Sequence, residues 1–156
     1  MSLDKVKKYF KKYQKEKDII ELEESSATVL EAARALHTTE GSIAKTLSFL
    51  VNGKPILIVV EGTKKISNSS FKTYFQKKAH MIPFQEVEKY IGHAPGGVCP
   101  FAINDDVVVY LDESLRAHDY VYPACGSSNS AIKLTIKELE KYSNYKEWID
   151  VCKKGQ

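Results

Sequence analysis

Several groupings of residues in this 156-residue sequence carry side chains or backbone able to do chemistry. Lys45 opens the run Thr46-Leu47-Ser48-Phe49-Leu50-Val51, whose members are apolar or small hydroxyl residues. An ammonium is costly to keep there unless it has a partner or a task, the plain alternative being a lysine that snorkels to solvent. Gly96-Gly97-Val98-Cys99-Pro100 reads Gly-x-x-x-Pro. Its glycine pair lets the N–H groups of Gly97 and Val98 approach a ligand without Cβ atoms in the way, unless the stretch is only a tight turn. Cys99 with His93 has the residue types of a thiol hydrolase, but six residues apart in one loop is no recognised signature, and buried structural cysteine is commoner. Asp112-Glu113 are adjacent carboxylates at a strand end, where neighbours point to opposite faces, so a turn is the simpler reading than an acid–base pair. His80, His93 and His118 show no metal-ligand spacing, and His37 falls in a loop.

These residues need elements to position them, and the clearest element is a hairpin. Leu47, Phe49 and Val51 alternate with smaller polar residues, Asn52-Gly53 supplies the two positive-φ positions of a type I′ turn, and Pro55 to Val60 returns as an apolar run. If Asn52 and Gly53 are the central turn residues, Val51 faces Lys54 and Lys45 faces Val60, at the end far from the turn. Glu61-Gly62-Thr63-Lys64-Lys65 leaves at that same end, so Lys45, Lys64 and Lys65 come near one another.

Along the rest of the chain, Asp4 to Lys17 is predicted as a helix with a Val6, Phe10, Tyr13 stripe and lysines around it. Those lysines are either a solvated face or a contact for phosphate groups, and the sequence leaves both open. Ile20 and Leu22 alternate as a short strand, and Thr28-x-x-Glu31 caps a helix through Leu36. Ser69 to Gln76 reads as a helix, Ala79 to Met81 as a short extended stretch, and Pro83 to Ile91 as a helix with Gly92 at its C-cap. Residues 93 to 101 form a partly buried loop. Val107 to Leu111, Tyr120 to Ala124 and Ala131 to Leu134 are strands, Thr135-x-x-Glu138 caps a helix with Leu139 and Tyr142 inward, and Trp148-Ile149 docks the terminus. This content gives an α+β class with a mixed, strongly curved sheet.

Composition narrows the classes. With 43% hydrophobic and 28% charged residues the length fits one domain, residues 1–156, of which 1–18 is the lysine-rich helix. No signal peptide and no run of eighteen apolar residues is visible, so no membrane partner is expected. Cys99, Cys125 and Cys152 are odd in number and far apart, which points to a reducing cytoplasm instead of a disulfide framework. The net charge of +3 is too small to establish a nucleic-acid partner.

Gly-Ser-Ile-Ala-Lys-Thr-Leu-Ser-Phe at 41–49, Gly96-Gly97-Val98-Cys99-Pro100-Phe101, Val109-Tyr110-Leu111-Asp112 and Ala124-Cys125-Gly126-Ser127-Ser128-Asn129-Ser130-Ala131 occur in one order. Together they resemble the YbaK/ProX family of aminoacyl-tRNA deacylases and of editing domains inserted in bacterial prolyl-tRNA synthetases, over roughly Ile20 to Cys152. The resemblance implies a six- or seven-stranded barrel, closed or nearly so, with flanking helices. It implies that Lys45 is the essential active-site residue, binding the ribose or phosphate of the terminal adenosine and holding the aminoacyl ester. Gly96, Gly97 and Val98 would position the substrate carbonyl as an oxyanion-type site, with Pro100 of the same loop among the substrate-binding residues. Gly126, Ser128 and Asn129 would form the facing wall, and Lys64 and Lys65 would assist in binding substrate.

The expectation that follows is a freestanding trans-editing hydrolase, without cofactor or metal, that deacylates mischarged tRNA(Pro) carrying alanine, cysteine or a similar small residue. Its partners would be the aminoacylated tRNA end and, if it docks, prolyl-tRNA synthetase. The rival expectation is a noncatalytic module that binds a tRNA end, a nucleotide or a synthetase. An activated ester needs positioning and charge stabilisation more than a strong nucleophile, so the want of a convincing triad fits the first.

Overall fold

Two Thr-initiated capping boxes and one Asn-Gly turn set much of the local structure of this protein, a computed structural model of which describes residues 2–154. Asn52 and Gly53 both take positive φ, 54° and 77°, and join β2 (Ile43–Val51) to β3 (Lys54–Glu61). The register is the one the turn dictates, Val51 opposite Lys54 and Lys45 opposite Val60. Around this hairpin are β1 (Ile19–Glu21), β4 (Val108–Asp112), β5 (Tyr120–Pro123), β6 (Ser130–Ile132), β7 (Leu134–Thr135) and β8 (Glu147–Ile149). Six of the eight strands, the hairpin included, form one curled, mixed sheet in the order β7-β5-β2-β3-β4-β8, with β2/β5, β3/β4 and β4/β8 parallel. The class and the curved six-stranded sheet agree with expectation. The sheet is a half-barrel, extended by the β1–β6 ribbon through a bridge between Ala124 and Ala131.

The helices are α1 (Ser2–Lys11), α2 (Val29–Ala35), α3 (Asn68–Phe75), α4 (Val87–Ile91) and α5 (Ile136–Ser143). Thr28 with Glu31, and Thr135 with Glu138, each exchange side-chain and backbone bonds as full capping boxes. Gly92 ends α4 in the left-handed region, φ 103°. One boundary differs from the sequence expectation. The N-terminal helix stops at Lys11 and does not run to Lys17: the N–H groups of Tyr13 and Lys15 both fold back onto the Phe10 carbonyl, and Gln14 is left-handed. This departure from helical phase brings the Tyr13 ring to 4.8 Å from that of Tyr142, and lets Lys15 bridge Asp18 and Glu138.

Strand alternation divides the sheet into two faces. Ala44, Leu57, Val59, Val109 and Leu111 pack on Val6 and Phe10 of α1, on Phe101, and on Leu139 and Tyr142 of α5. Phe49, Ile56, Ile58, Val60 and Tyr110 pack on Phe71 of α3 and on Val151 and Cys152. Each buried Val, Leu, Ile or Phe side chain among these contributes roughly 1.5–3 kcal/mol, so both faces of the central strands are firmly packed. Asp112 is fully buried and takes the turn role: its Oδ2 accepts from Ser114 N and its Oδ1 from Val151 N.

Candidate active site

A cavity of about 360 Å³ opens against the Ala44, Thr46, Ser48 side of β2. Its other walls are the start of α2 at Thr28 and Val29, the segment Met81-Ile82 with Phe84 and Val87, the loop residues Pro95, Gly96 and Val98, and Tyr122, Ser130 and Ala131. This volume is at the small end of ligand sites, roughly 300–1,000 Å³. The lining is mainly apolar, and among the described residues it contains no carboxylate or imidazole. One polar atom in it is orphaned: Thr46 Oγ1 is buried without a hydrogen-bond partner in the protein. An unpaired buried hydroxyl costs about 1–3 kcal/mol, and a ligand group placed against it would recover that. Thr46 was not among the residues singled out from the sequence. Its signal was there, in the alternation of Thr46 and Ser48 with Leu47 and Phe49.

Lys45 sits in the cavity wall, half-buried, at the end of β2 far from the hairpin turn. Alternation directs its side chain with Leu47 and Phe49, and Nζ donates to the Lys64 carbonyl at 2.7 Å. One of its three donors is thus used by the backbone. Burial lowers its pKa from the ordinary lysine value; Cys152 and Glu61 oppose the shift and Lys65 adds to it. Cys152 offers a counter-charge only as a thiolate, and burial pushes that thiol up to about 12, so at neutral pH it gives Lys45 no anion. Lys45, Lys64 and Lys65 do come together as the hairpin register requires. Lys64, however, also lines a separate cavity of about 200 Å³ with Asp112, Ser114 and Cys152, and Lys65 is exposed.

The two loops named from the sequence face each other. A Cβ on Gly97 would lie 2.6 Å from the backbone of Gly126 and Ser127, so only glycine allows this approach. A Cβ on Gly96 would lie 3.6 Å from that of Ser128. Gly96 and Val98 line the cavity, whereas Gly97 is buried between the loops and donates its N–H to the Ala94 carbonyl at 3.1 Å. That amide is occupied, and no acceptor is bonded to the Val98 N–H among the described residues. Pro100 is buried behind the loop. Asn129 is a brace: Nδ2 donates to the Leu22 carbonyl and Oδ1 accepts from Ser127 Oγ. Ser128 accepts through its carbonyl from Ser26 N and Oγ, and Gly126, φ 92°, lies against Ser2 and Val6 of α1.

His93 and Cys99 do meet, with Cys99 Sγ 3.5 Å from His93 Nε2, but both are fully buried. His93 Nε2 is 2.7 Å from the Phe101 carbonyl, its pKa is lowered by burial, and burial pushes the Cys99 thiol up to about 12. Neither residue reaches the cavity. A second pair had no sequence signal: His118 Nε2 lies 3.1 Å from Glu61 Oε2, joining residues 57 apart. Burial raises the Glu61 carboxyl, but hydrogen bonds from Thr63 and His118 outweigh it, and its pKa is lowered. This pair fixes the end of β3 outside the cavity. Among the described residues no three His, Cys, Asp or Glu side chains gather where they could hold a metal ion, and no helix is long and apolar enough to cross a membrane.

The fold and the cavity define a curled α+β protein whose small cavity is walled by β2, the start of α2 and the loop residues Pro95, Gly96 and Val98. The profile of the family described as "Aminoacyl-tRNA editing domain" matches residues 23–142, and the chain belongs to that family. The uncharacterized protein YwhH of Bacillus subtilis is 49% identical over 98% of this chain and 98% of its own. The proline–tRNA ligase of Limosilactobacillus fermentum is 27% identical over 57% of this chain, which corresponds to 17% of that enzyme. A solved structure described as "a putative trans-editing enzyme for prolyl tRNA synthetase" superposes with a TM-score of 0.87 at 26% identity, over 97% of both chains.

Proposed function

We propose that this protein is a freestanding cytoplasmic aminoacyl-tRNA deacylase that removes a small wrong amino acid, such as alanine or cysteine, from tRNA(Pro). The observation that carries the reading is the small cavity with Lys45 at its rim and Thr46 Oγ1 unpaired within it. The acyl group enters the apolar part, and the ester carbonyl lies between Val98 and Lys45. Water adds to that carbonyl. The charge that develops on its oxygen is met by the Val98 N–H and the Lys45 ammonium, and the tetrahedral adduct collapses to the free amino acid and the tRNA ribose hydroxyl. With no carboxylate or imidazole in the wall, the water proton passes to the substrate's own amine or ribose oxygen, so positioning is the protein's main contribution. Lys64, Lys65, Gly126, Ser128 and Asn129 act at one remove, by fixing Lys45 and the two loops.

The same want of a general base favours the rival, a binding module for an aminoacyl or nucleotide end without turnover. A deacylation panel separates them, using tRNA(Pro) charged with alanine, cysteine, serine or proline. Faster loss of label from at least one mischarged tRNA than from Pro-tRNA(Pro), relative to the uncatalysed rate, is the expected result. Tight binding of all four with no acceleration would establish the module instead. Thr46→Val, which keeps the volume but removes the hydroxyl, should change the ranking of the four more than the sum of their rates.

A further inference from the structure

Phe84 is 76% exposed, and it lines the mouth of the cavity. Beside it Met81 is 57% exposed on the same rim. Among the described residues the ring of Phe84 makes no aromatic or cation–π contact, unlike Tyr74 and Tyr120, the other exposed aromatics, which rest on Phe75 and Tyr110 and on Tyr122 and Lys133. The backbone beneath it is nevertheless fixed. Leu50 N donates to the His80 carbonyl, Ile82 N donates to the Ser48 carbonyl, Met81 bridges to Phe49, and Ile82 and Val87 on either side are buried. A large apolar ring kept in water on a fixed backbone at a cavity mouth, beside a second exposed apolar side chain, points to an external contact.

We infer that the Phe84 ring is a stacking platform for the nucleobase of the terminal nucleoside whose ribose carries the acyl group. The inference rests on the reading of the cavity as an aminoacyl site. If the acyl group is inside, the ester oxygen and ribose lie at the mouth, and the base is the next flat group outward. A phenyl ring reads a base by its face and offers no donor or acceptor to its edge, which suits an end nucleotide that need not be distinguished from others.

The test uses the whole protein, with Phe84→Ala, Phe84→Leu and Phe84→Trp assayed on an aminoacyl-tRNA and on the methyl ester of the same amino acid, which has no base. Stacking predicts that Phe84→Ala raises KM for the tRNA about tenfold with kcat little changed, an effect within the range of base–aromatic stacking. It also predicts that the methyl ester is unaffected, that Phe84→Trp restores KM and that Phe84→Leu does not. Unchanged KM in Phe84→Ala, equal loss on the methyl ester, or full rescue by Phe84→Leu would overturn it. Adenosine titrated at millimolar concentration, followed by NMR of the Phe84 ring, gives a readout independent of turnover. Ring shifts in a protein that hydrolyses nothing would retain the platform and remove the deacylase, whereas hydrolysis without ring shifts would do the reverse.

Discussion

The His93–Cys99 pair and the stretch of β2 that carries Lys45 and Thr46 are two places with potentially reactive side chains, and residue type alone would favour the first. A thiol 3.5 Å from an imidazole has the parts of a nucleophile and its base. Its surroundings remove that capacity: both groups are fully buried, the thiol is pushed up to about 12, and the same burial lowers the pKa of the histidine. The lysine and threonine have weaker intrinsic chemistry but line an open cavity, the threonine with an unpaired oxygen. Access and unmet hydrogen bonding single out the cavity as the candidate site, and proximity of reactive types does not.

The comparison can be broken most forcefully at the loop that separates the two places. Gly97→Val drives a side chain into the Gly126 and Ser127 backbone, so turnover should fall by roughly 100-fold or more and the melting temperature should drop, since overpacking commonly costs about 1–3 kcal/mol. Steady-state kinetics and thermal melts check both. Cys99→Ser should sharpen the contrast: the hydroxyl can still donate to the Phe101 carbonyl, stability falls by about 1–2 kcal/mol, and deacylation stays within roughly threefold. A thiol hydrolase requires the opposite order, a dead and folded Cys99→Ser.

A smaller effect concerns pH. Because the His93 pKa is lowered by folding, the unfolded chain binds the proton first as pH falls below the ordinary histidine value of 6.5. Stability present above that value is therefore lost progressively as pH drops toward the folded pKa. Denaturant midpoints measured from pH 8 to 5 should decline in the parent and decline less in His93→Gln. The smallest effect should come from the N-terminal lysines. Lys7 pairs with Glu21 and Lys15 with Asp18 and Glu138, while Lys5 donates to the Gly92 carbonyl. Lys8, Lys11 and Lys17 are exposed without an ion pair among the described residues. Changing these three to Gln should weaken tRNA binding a few-fold and make its salt dependence shallower, with no change on a methyl ester. An unaltered salt slope returns them to a solvated face.

What could be read beforehand follows from how local each signal is. The Asn52-Gly53 turn set the register to the residue, and with it the meeting of Lys45, Lys64 and Lys65, because a two-residue loop leaves no slack. The capping boxes at Thr28 and Thr135 lie within four consecutive residues and were equally plain. The end of α1 was misjudged because its lysine-rich periodicity continues to Lys17, whereas the chain turns at Gln14 for a tertiary reason, the docking of Tyr13 on Tyr142. At the site, the apposition of the 96–98 and 126–130 loops came from the order of motifs, not from spacing. The occupied Gly97 N–H, the bracing role of Asn129, the orphaned Thr46 hydroxyl and the Glu61–His118 pair depend on contacts between residues far apart in sequence, and no local pattern carries those.

The account turns on Lys45, and single-turnover deacylation of mischarged Ala-tRNA(Pro) by the parent and by Lys45→Ala addresses it most directly. The lysine lies at a strand end and contributes little to either core, so circular dichroism and melting should match the parent closely. The expected result is acceleration by the parent and a loss of about 100-fold or more in the variant, the scale of removing one preorganised group that meets transition-state charge. A well-folded Lys45→Ala protein that deacylates within a few-fold of the parent would contradict the account and place the chemistry elsewhere in the cavity.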